Sequence, residues 1–281
     1  MALSKQYQAH KAYLNYQKKP SQHHQGPLAA QTTPREGQTL SDYLWEQTAE
    51  YQQQALDSNS IHGLREGCLD PSQFGGYMVD DSVYCNEGMR SLNIAARRSG
   101  ANTTLRKFLK SEAESWKGYW EWLYNVWHIK KTKGIELGEA ASNYVNHVRN
   151  VAENEEPVYT ILALTPCAKL WPWLGAQIGS GSRDFGVYTT WVEENLVPSS
   201  SGYLEYQDHV EWAYQAGIVS AERALQVFTQ SFQNEVQFFN SVERCQARSH
   251  TGMWGQEHLI YCYFYSTNLS SQYYPTQITR N

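Results

Sequence analysis

Residues 70–96 have the sequence DPSQFGGYMVDDSVYCNEGMRSLNIAA, and this stretch decides the fold class. It begins as a helix should, because Asp70 can cap the N-terminus and Pro71 suits the first helical position. Apolar and aromatic residues then recur at helical spacing: Phe74, Tyr77, Met78, Tyr84, Cys85, Met89, Leu92 and Ala96. The pattern predicts a long helix with one buried face.

Similar helical signals extend from about residue 39 to residue 245. Thr39, Ser41 and Asp42 can cap a first helix, in which Leu40 and Tyr43 begin the apolar face. Further helices are predicted at about 103–131, 136–153, 156–177, 184–196, 203–217 and 220–245. Most linkers are short and contain glycine, and no strand-type alternation persists. We therefore expect an all-α single domain.

The two ends of the chain differ from this helical region. Residues 1–38 are polar and rich in turn formers, which predicts an arm on the surface or on a neighbouring subunit. Residues 246–281 are rich in tyrosine, and residues 258–265 could form a short strand or a packed extended arm. The predicted organisation is an arm at 1–38, a helical domain at 39–245 and a tail at 246–281 that packs on the domain or an interface.

Composition limits the classes of function. The 281 residues include 10 Trp and 20 Tyr, which need a large core or an aromatic-lined pocket. A net charge of −5 argues against nucleic acid or an anionic membrane as the main partner. No apolar run approaches bilayer length, and the start lacks the apolar region of a secretory signal. A cytoplasmic protein without a membrane partner is expected.

The cysteines and histidines form no recognisable framework. Five cysteines with no C-x-x-C spacing fit neither a disulfide framework nor a zinc site. All but Cys167, which is considered below, are predicted to be structural: Cys68, Cys85, Cys245 and Cys262. The adjacent pair His23 and His24 lacks further ligands, and His62 alone is poor support for a haem protein. We expect no metal and no organic cofactor.

Asp81 is the first of three polar groups that lie among aromatic residues. The spacing places Phe74, Tyr77, Asp81 and Tyr84 on one inward face of the first long helix. A carboxylate on that face needs a donor, because an unpaired buried charge is costly. Asp81 therefore either belongs to a site or ties down a neighbouring helix.

Cys167 and Glu235 are the other two polar groups. Cys167 follows Pro166, which can kink a helix, and Trp171 lies one turn further on. A thiol at a kink could serve as a nucleophile, although burial holds its proton and core packing is the alternative. Glu235 lies on a face otherwise built from phenylalanine rings, which suits a proton shuttle; a salt bridge is the alternative.

Taken in order, these motifs resemble the TenA family, also called thiaminase II. The matching segments are Leu40-Ser-Asp-Tyr-Leu-Trp-Glu, Gly63-Leu-x-x-Gly67, the Phe74 to Tyr84 motif, Tyr144 in Ala-Ser-Asn-Tyr-Val, Leu164-Thr-Pro-Cys167, Tyr188-x-x-Trp191-Val192 and Phe232-x-x-Glu235-x-x-Phe238-Phe239. The resemblance covers about residues 39–245 and leaves both ends unmatched. It implies a haem-oxygenase-like all-helical fold and a homo-oligomer, either a tetramer or a dimer.

The resemblance also implies a reaction. Family members hydrolyse an aminopyrimidine, 4-amino-5-aminomethyl-2-methylpyrimidine, or thiamin at the group attached to the pyrimidine methylene. By position, Cys167 would be the nucleophile, Glu235 would shuttle protons to the leaving amine, and Asp81 would hold the ring nitrogens. The remaining matched residues would line the substrate pocket: Tyr84, Tyr144, Trp171 and Tyr188.

The chain departs from the family pattern at three positions. Asp80 and Ser82 stand where family members tend to have a Gln and an aromatic residue, and Trp171 stands where Tyr is typical. A Trp keeps an N–H donor but loses the hydroxyl and adds bulk. A rival hypothesis is therefore a non-catalytic small-molecule-binding or structural protein on a retained scaffold.

Overall fold

The computed structural model describes residues 32–245. Predictions for the tail, including residues 258–265, and for most of the arm fall outside the described residues. Within them the chain forms α-helices and no strand, so the all-α prediction is confirmed.

The helices are α1 (Leu40–Gln47), α2 (Ala49–Leu56), α3 (Asn59–Arg65), α4 (Pro71–Arg98), α5 (Thr103–Val126), α6 (Glu139–Asn154), α7 (Val158–Ile178), α8 (Thr189–Asn195), α9 (Tyr203–Gln215) and α10 (Ala221–Phe239), with a 3₁₀ turn at Gly186–Tyr188 before α8.

Helix α4 begins as the sequence predicts. The Asp70 carboxylate accepts hydrogen bonds from the backbone N–H groups of Ser72 at 2.8 Å and Gln73 at 3.2 Å. The helix packs along α5 and α6. Gly88 allows the close approach of α5, because a Cβ atom there would lie 2.3 Å from the Trp116 ring.

Four helices enclose the centre of the bundle. Helix α7 contacts α4, α6, α9 and α10, and α6 also contacts α4 and α10. Helix α7 is buried from Val158 through Pro166 and continues through both Pro166 and Pro172. None of the helices in the described range is long and apolar enough to cross a membrane. The four helices α4, α6, α7 and α10 carry the polar residues that the sequence singles out.

Several element boundaries differ from the sequence prediction for local reasons. The first helix stops at Thr48, whose hydroxyl donates to the Leu44 carbonyl, and α2 starts directly after it. The last helix ends at Phe239 rather than near residue 245. There the side chains of Asn240 and Ser241 donate to the carbonyls of Val236 and Phe238, which satisfies the end of the helix.

Cys68 and Cys245 form a disulfide bond, with Cα atoms 5.9 Å apart. The prediction that the cysteines form no disulfide is therefore wrong for these two. The spacing gives no signal because 177 residues separate them, and only the return of the chain after α10 brings them together. Cys85 and Cys167 have free thiols, and Cys262 lies beyond the described part.

Candidate active site

Four helices bring most of the predicted site residues into one buried cluster. Asp81, Cys167 and Glu235 come from α4, α7 and α10, and each is close enough to affect the pKa of another. The acidic cluster, as we call it, consists of Asp81, Tyr84, Tyr144, Cys167, Trp171 and Glu235. Since 154 residues separate Asp81 from Glu235 in sequence, only the helical packing places them together.

Glu235 is 2% exposed, and the indole N–H of Trp171 donates to its Oε1 atom at 3.2 Å. Burial raises the pKa of this carboxyl to about 7, against the opposing effects of Tyr144, Trp171 and Cys167. In residues 32–245 no basic side chain forms an ion pair with Glu235, so the salt-bridge alternative finds no support. A carboxyl that titrates near neutrality can both accept and donate a proton.

Asp81 is buried and lacks a hydrogen-bond donor or basic partner in the part of the chain that the structure describes. Burial, followed by the charges of Glu235 and Asp80, raises the pKa of Asp81 to about 7. The alternative role of tying down a helix belongs instead to Asp80, whose Oδ2 accepts the backbone N–H of Gly138 at 3.2 Å. Asp81 is left available for a ligand.

Asp80 also explains why Gly138 precedes α6. A Cβ atom at Gly138 would lie 3.0 Å from the Asp80 carboxylate, so a larger residue would crowd this contact. The sequence shows Asp80 only as a departure from the family pattern. In the structure Asp80 lies on α4 and its carboxylate binds the backbone at the start of α6.

The Cys167 thiol keeps its proton in the resting protein. Burial, and then the charges of Glu235 and Asp81, raise the pKa of the thiol well above its usual range. Interactions with Trp171 and Tyr84 act in the opposite direction. A thiol of this kind becomes nucleophilic only when a base removes its proton, and Glu235 is the neighbouring group with a suitable pKa.

Tyrosine rings form the walls of the acidic cluster. The rings of Tyr84 and Tyr144 lie 4.4 Å apart, and the ring of Tyr77 stacks on Phe238 at 4.6 Å. The hydroxyl groups of Tyr77, Tyr84 and Tyr144 are buried without a partner in hydrogen-bonding geometry among the described residues. The Tyr144 hydroxyl is near enough to Glu235 to favour its charged form. Unpartnered buried hydroxyls are unfavourable, so their convergence indicates a site for water or a polar ligand.

Tyr188 lies differently from the other predicted pocket residues. Its hydroxyl donates to the Leu69 carbonyl at 2.6 Å, and its ring lies 5.0 Å from Phe74. This bond holds the loop before α4. In this structure the Tyr188 hydroxyl is therefore engaged with the backbone.

Tyr119 on α5 is a residue that the sequence analysis missed. Its hydroxyl donates to the Asn195 side chain at 3.0 Å. Burial, followed by the charges of Asp81, Cys85 and Cys167, raises its pKa. The apolar spacing of α5 gives no signal that singles out this tyrosine.

Trp171 fills space at the edge of the acidic cluster. Its ring lies 5.8 Å from Trp191 and 5.9 Å from Phe239. A cavity of about 10 Å³, lined in part by Phe74, Tyr77 and Trp171, remains beside it. Roughly one water molecule fits a space of this size. Of the residues that line this cavity, Trp171 is the one that belongs to the acidic cluster.

The potential metal ligands lie elsewhere. Among the described residues, one group of three side chains could hold a metal ion: His62, Cys68 and Cys245. None of them belongs to the acidic cluster. The chemistry of the cluster is that of two carboxyl groups, a thiol and aromatic donors.

These features define a helical bundle with a buried, aromatic-lined site that combines acids with a thiol. The chain belongs to the TENA/THI-4/PQQC family, whose model matches residues 45–245. The match ends at the second cysteine of the disulfide and covers every residue of the acidic cluster. Among curated proteins, none matches this chain significantly by sequence.

Solved structures show the same fold at low sequence identity. A TenA homologue from Pyrococcus furiosus is 17% identical with a TM-score of 0.59, covering 72% of this chain and 98% of that one. A Sulfolobus solfataricus protein provisionally named a TenA-like thiaminase is 21% identical with a TM-score of 0.55, covering 71% and 94%. A protein from Silicibacter sp. TM1040, named a TenA family transcription regulator, is 13% identical with a TM-score of 0.60, covering 71% and 94%. At these identities the likeness establishes the fold.

Proposed function

We propose that this protein has a thiamin-related role and hydrolyses 4-amino-5-aminomethyl-2-methylpyrimidine or thiamin through Cys167. The observation that carries the proposal is the convergence of Asp81, Cys167 and Glu235 in one buried cluster. Family membership and the thiaminase-like name of the Sulfolobus solfataricus protein support the thiamin-related role.

Asp81 is suited to recognise the aminopyrimidine ring. When the ring nitrogen is protonated, it and the neighbouring amino group form an amidinium-like edge, which donates paired hydrogen bonds to a carboxylate. Because Asp81 has no donor in the described residues, binding of this edge would provide the missing partner and favour the charged carboxylate. The rings of Tyr84 and Tyr144 offer faces for the flat heterocycle.

Cys167 and Glu235 then carry the reaction. Cys167 gives its proton to the Glu235 carboxylate, and the thiolate forms a bond to a carbon of the pyrimidine ring. Glu235 passes that proton to the amine as its bond to the methylene carbon breaks. The hydroxyl of a water molecule bonds to the methylene carbon while its proton returns to the departing sulfur. Ammonia and the hydroxymethylpyrimidine are the products, so atoms and charge balance.

The volume beside Trp171 favours a small leaving group. Ammonia needs little more room than the water-sized cavity provides, whereas the thiazolium ring of thiamin is several times larger. We therefore propose the aminopyrimidine as the better substrate. We also propose that the reaction takes place in the cytoplasm in a homo-oligomer.

The rival function is binding without turnover. The buried tyrosine hydroxyls would suit a tightly held ligand, and one structural neighbour is named a transcription regulator. Calorimetric titration with the aminopyrimidine, alongside an assay for released ammonia, separates the two. Binding with ammonia release supports hydrolysis, whereas binding without any ammonia supports the rival.

A further inference from the structure

Three potential metal ligands meet outside the acidic cluster. His62 lies on α3, Cys68 in the loop before α4, and Cys245 after α10; their ligand atoms lie within 4.8 Å of one another. The two sulfurs are joined to each other in this structure. The Nδ1 atom of His62 is buried and has no hydrogen-bond partner in the described range. An unpartnered buried imidazole nitrogen suggests a role as an acceptor or a metal ligand.

The position of Cys68 relative to His62 does not depend on the disulfide. The backbone N–H of Cys68 donates to the Gly63 carbonyl at 2.9 Å. Gly67 has φ +62, a left-handed conformation that suits glycine and ends α3 sharply. This turn fixes Cys68 close to the end of the helix that carries His62.

Cys245 is also held in place by neighbouring hydrogen bonds. The segment before it contacts the end of α2, α3 and the start of α4 through three hydrogen bonds: Arg244 Nη1 to the Asp57 carbonyl at 3.1 Å, Asn59 Nδ2 to the Val242 carbonyl at 2.8 Å, and the Glu243 N–H to Gln73 Oε1 at 2.6 Å. Cleavage of the sulfur–sulfur bond would leave these contacts intact. The three ligands should therefore remain close in the reduced protein.

We propose that the reduced protein binds Zn²⁺ through His62, Cys68 and Cys245. A dithiol reductant cleaves the disulfide by becoming a disulfide itself, which leaves two thiols on the protein. Each thiol loses its proton when the metal binds, and the two thiolate charges balance the charge of Zn²⁺. Thiolate and imidazole ligands suit zinc better than magnesium or calcium. Three protein ligands leave the fourth position for water or another group.

The geometry requires only a small rearrangement. Zinc–sulfur bonds of about 2.3 Å and a zinc–nitrogen bond of about 2.0 Å place the ligand atoms roughly 3.5 Å from one another. The present ligand atoms all lie within 4.8 Å of one another, so the sulfurs need only separate around the ion. The site is thus an alternative state of the same cysteine pair: a disulfide under oxidising conditions and a zinc site under reducing ones.

Cobalt titration of the full-length chain tests the proposal, because thiolate coordination gives Co²⁺ an intense charge-transfer absorption. The chain carries Cys262→Ser and is reduced with a phosphine that leaves no competing thiol. We expect one equivalent of Co²⁺ with thiolate absorption, displaced by Zn²⁺, and no such absorption in the oxidised protein. Absence of thiolate-bound Co²⁺ in the reduced protein would overturn the proposal.

Three variants identify the ligands. Cys245→Ser should abolish the thiolate–cobalt absorption, and His62→Ala should weaken metal affinity by about tenfold or more. Cys85→Ser, which removes a buried thiol elsewhere, should bind metal as the parent does. Circular dichroism checks that each variant keeps its helices, and His62→Ala provides the test if Cys245→Ser does not fold. Unchanged binding in a folded Cys245→Ser or His62→Ala protein contradicts the assignment.

Discussion

The indole N–H of Trp171 donates a hydrogen bond to Oε1 of Glu235 at 3.2 Å. The bond links the residue that departs from the family pattern to the proposed proton shuttle. It explains how the chain can lose a tyrosine hydroxyl at this position and still orient the carboxyl, because the indole supplies the donor. The substitution therefore preserves a polar contact while it changes the volume of the site.

Trp171→Phe removes this donor while keeping an aromatic ring. Because the hydrogen bond favours the charged carboxylate, the pKa of Glu235 should rise above about 7. The acidic limb of the kcat/KM profile should move to higher pH by up to about one unit. Trp173→Phe changes a neighbouring tryptophan on α7 and serves as the control. Coincident pH profiles for Trp171→Phe and the parent would contradict the role of the hydrogen bond.

Trp171→Tyr should shift the choice of substrate. The smaller ring enlarges the space beside Tyr77 and Phe239, which the thiazolium group of thiamin needs. We expect the ratio of kcat/KM for thiamin to that for the aminopyrimidine to increase about tenfold. Both substrates are assayed on the same protein, so a general loss of activity cancels in the ratio. A ratio that falls or stays constant would show that Trp171 does not limit the leaving group.

Asp81→Asn should stabilise the ligand-free protein most at alkaline pH. The pKa of Asp81 is raised from 3.8 to about 7, so the folded state holds its proton more tightly than the unfolded state does. Its stabilising contribution is complete below about pH 3.8 and is lost as the pH rises through 7. The free energy of unfolding of Asp81→Asn should therefore exceed that of the parent by a larger amount at pH 8 than at pH 5. The increase should be a few kcal/mol.

Urea unfolding at the two pH values measures this difference. Asp208→Asn, at an exposed position on α9, should give the same small effect at both. Asp81→Asn should also raise KM for the aminopyrimidine, since an amide cannot provide the carboxylate charge. A constant stability difference from pH 5 to pH 8 would mean that Asp81 is not held in its protonated form.

Tyr144→Phe should separate stability from binding. Among residues 32–245 the buried Tyr144 hydroxyl has no partner in hydrogen-bonding geometry, so its removal should change the free energy of unfolding of the ligand-free protein by less than about 1 kcal/mol and should weaken ligand binding. Tyr188→Phe is the matched control, because it removes a hydroxyl bonded to Leu69 and should destabilise the protein. Thermal unfolding and KM are measured on both. Destabilisation of Tyr144→Phe to the same extent as Tyr188→Phe would contradict a ligand-binding role for this hydroxyl.

The sequence predicts the fold well where periodicity is strong and the caps are local. Asp70 and Pro71 define the start of α4, and the inward positions of Asp81 and Tyr84 follow from helical spacing. The same local signals do not locate the end of the last helix. The side chains of Asn240 and Ser241 end it six residues before the predicted boundary, because they donate hydrogen bonds to its last carbonyl groups. Apolar spacing gives no information about such side-chain bonds.

The candidate site is predicted less completely because it depends on long-range packing. The resemblance supplies Cys167 and Glu235, but no sequence pattern gives the bond between Trp171 and Glu235 or the different tasks of Asp80 and Asp81. The disulfide is missed for the same reason, since its cysteines meet only after the chain has folded. Residue types and helical faces can be inferred from local sequence, whereas partners across the bundle cannot.

Ammonia release from 4-amino-5-aminomethyl-2-methylpyrimidine by Cys167→Ser tests the central claim most directly. The assay compares this variant with the parent and with Cys85→Ser, which removes the other free thiol of the described chain. The proposed mechanism predicts a loss of kcat of at least about a hundredfold for Cys167→Ser and near-parent activity for Cys85→Ser. Undiminished ammonia release by Cys167→Ser would contradict the account.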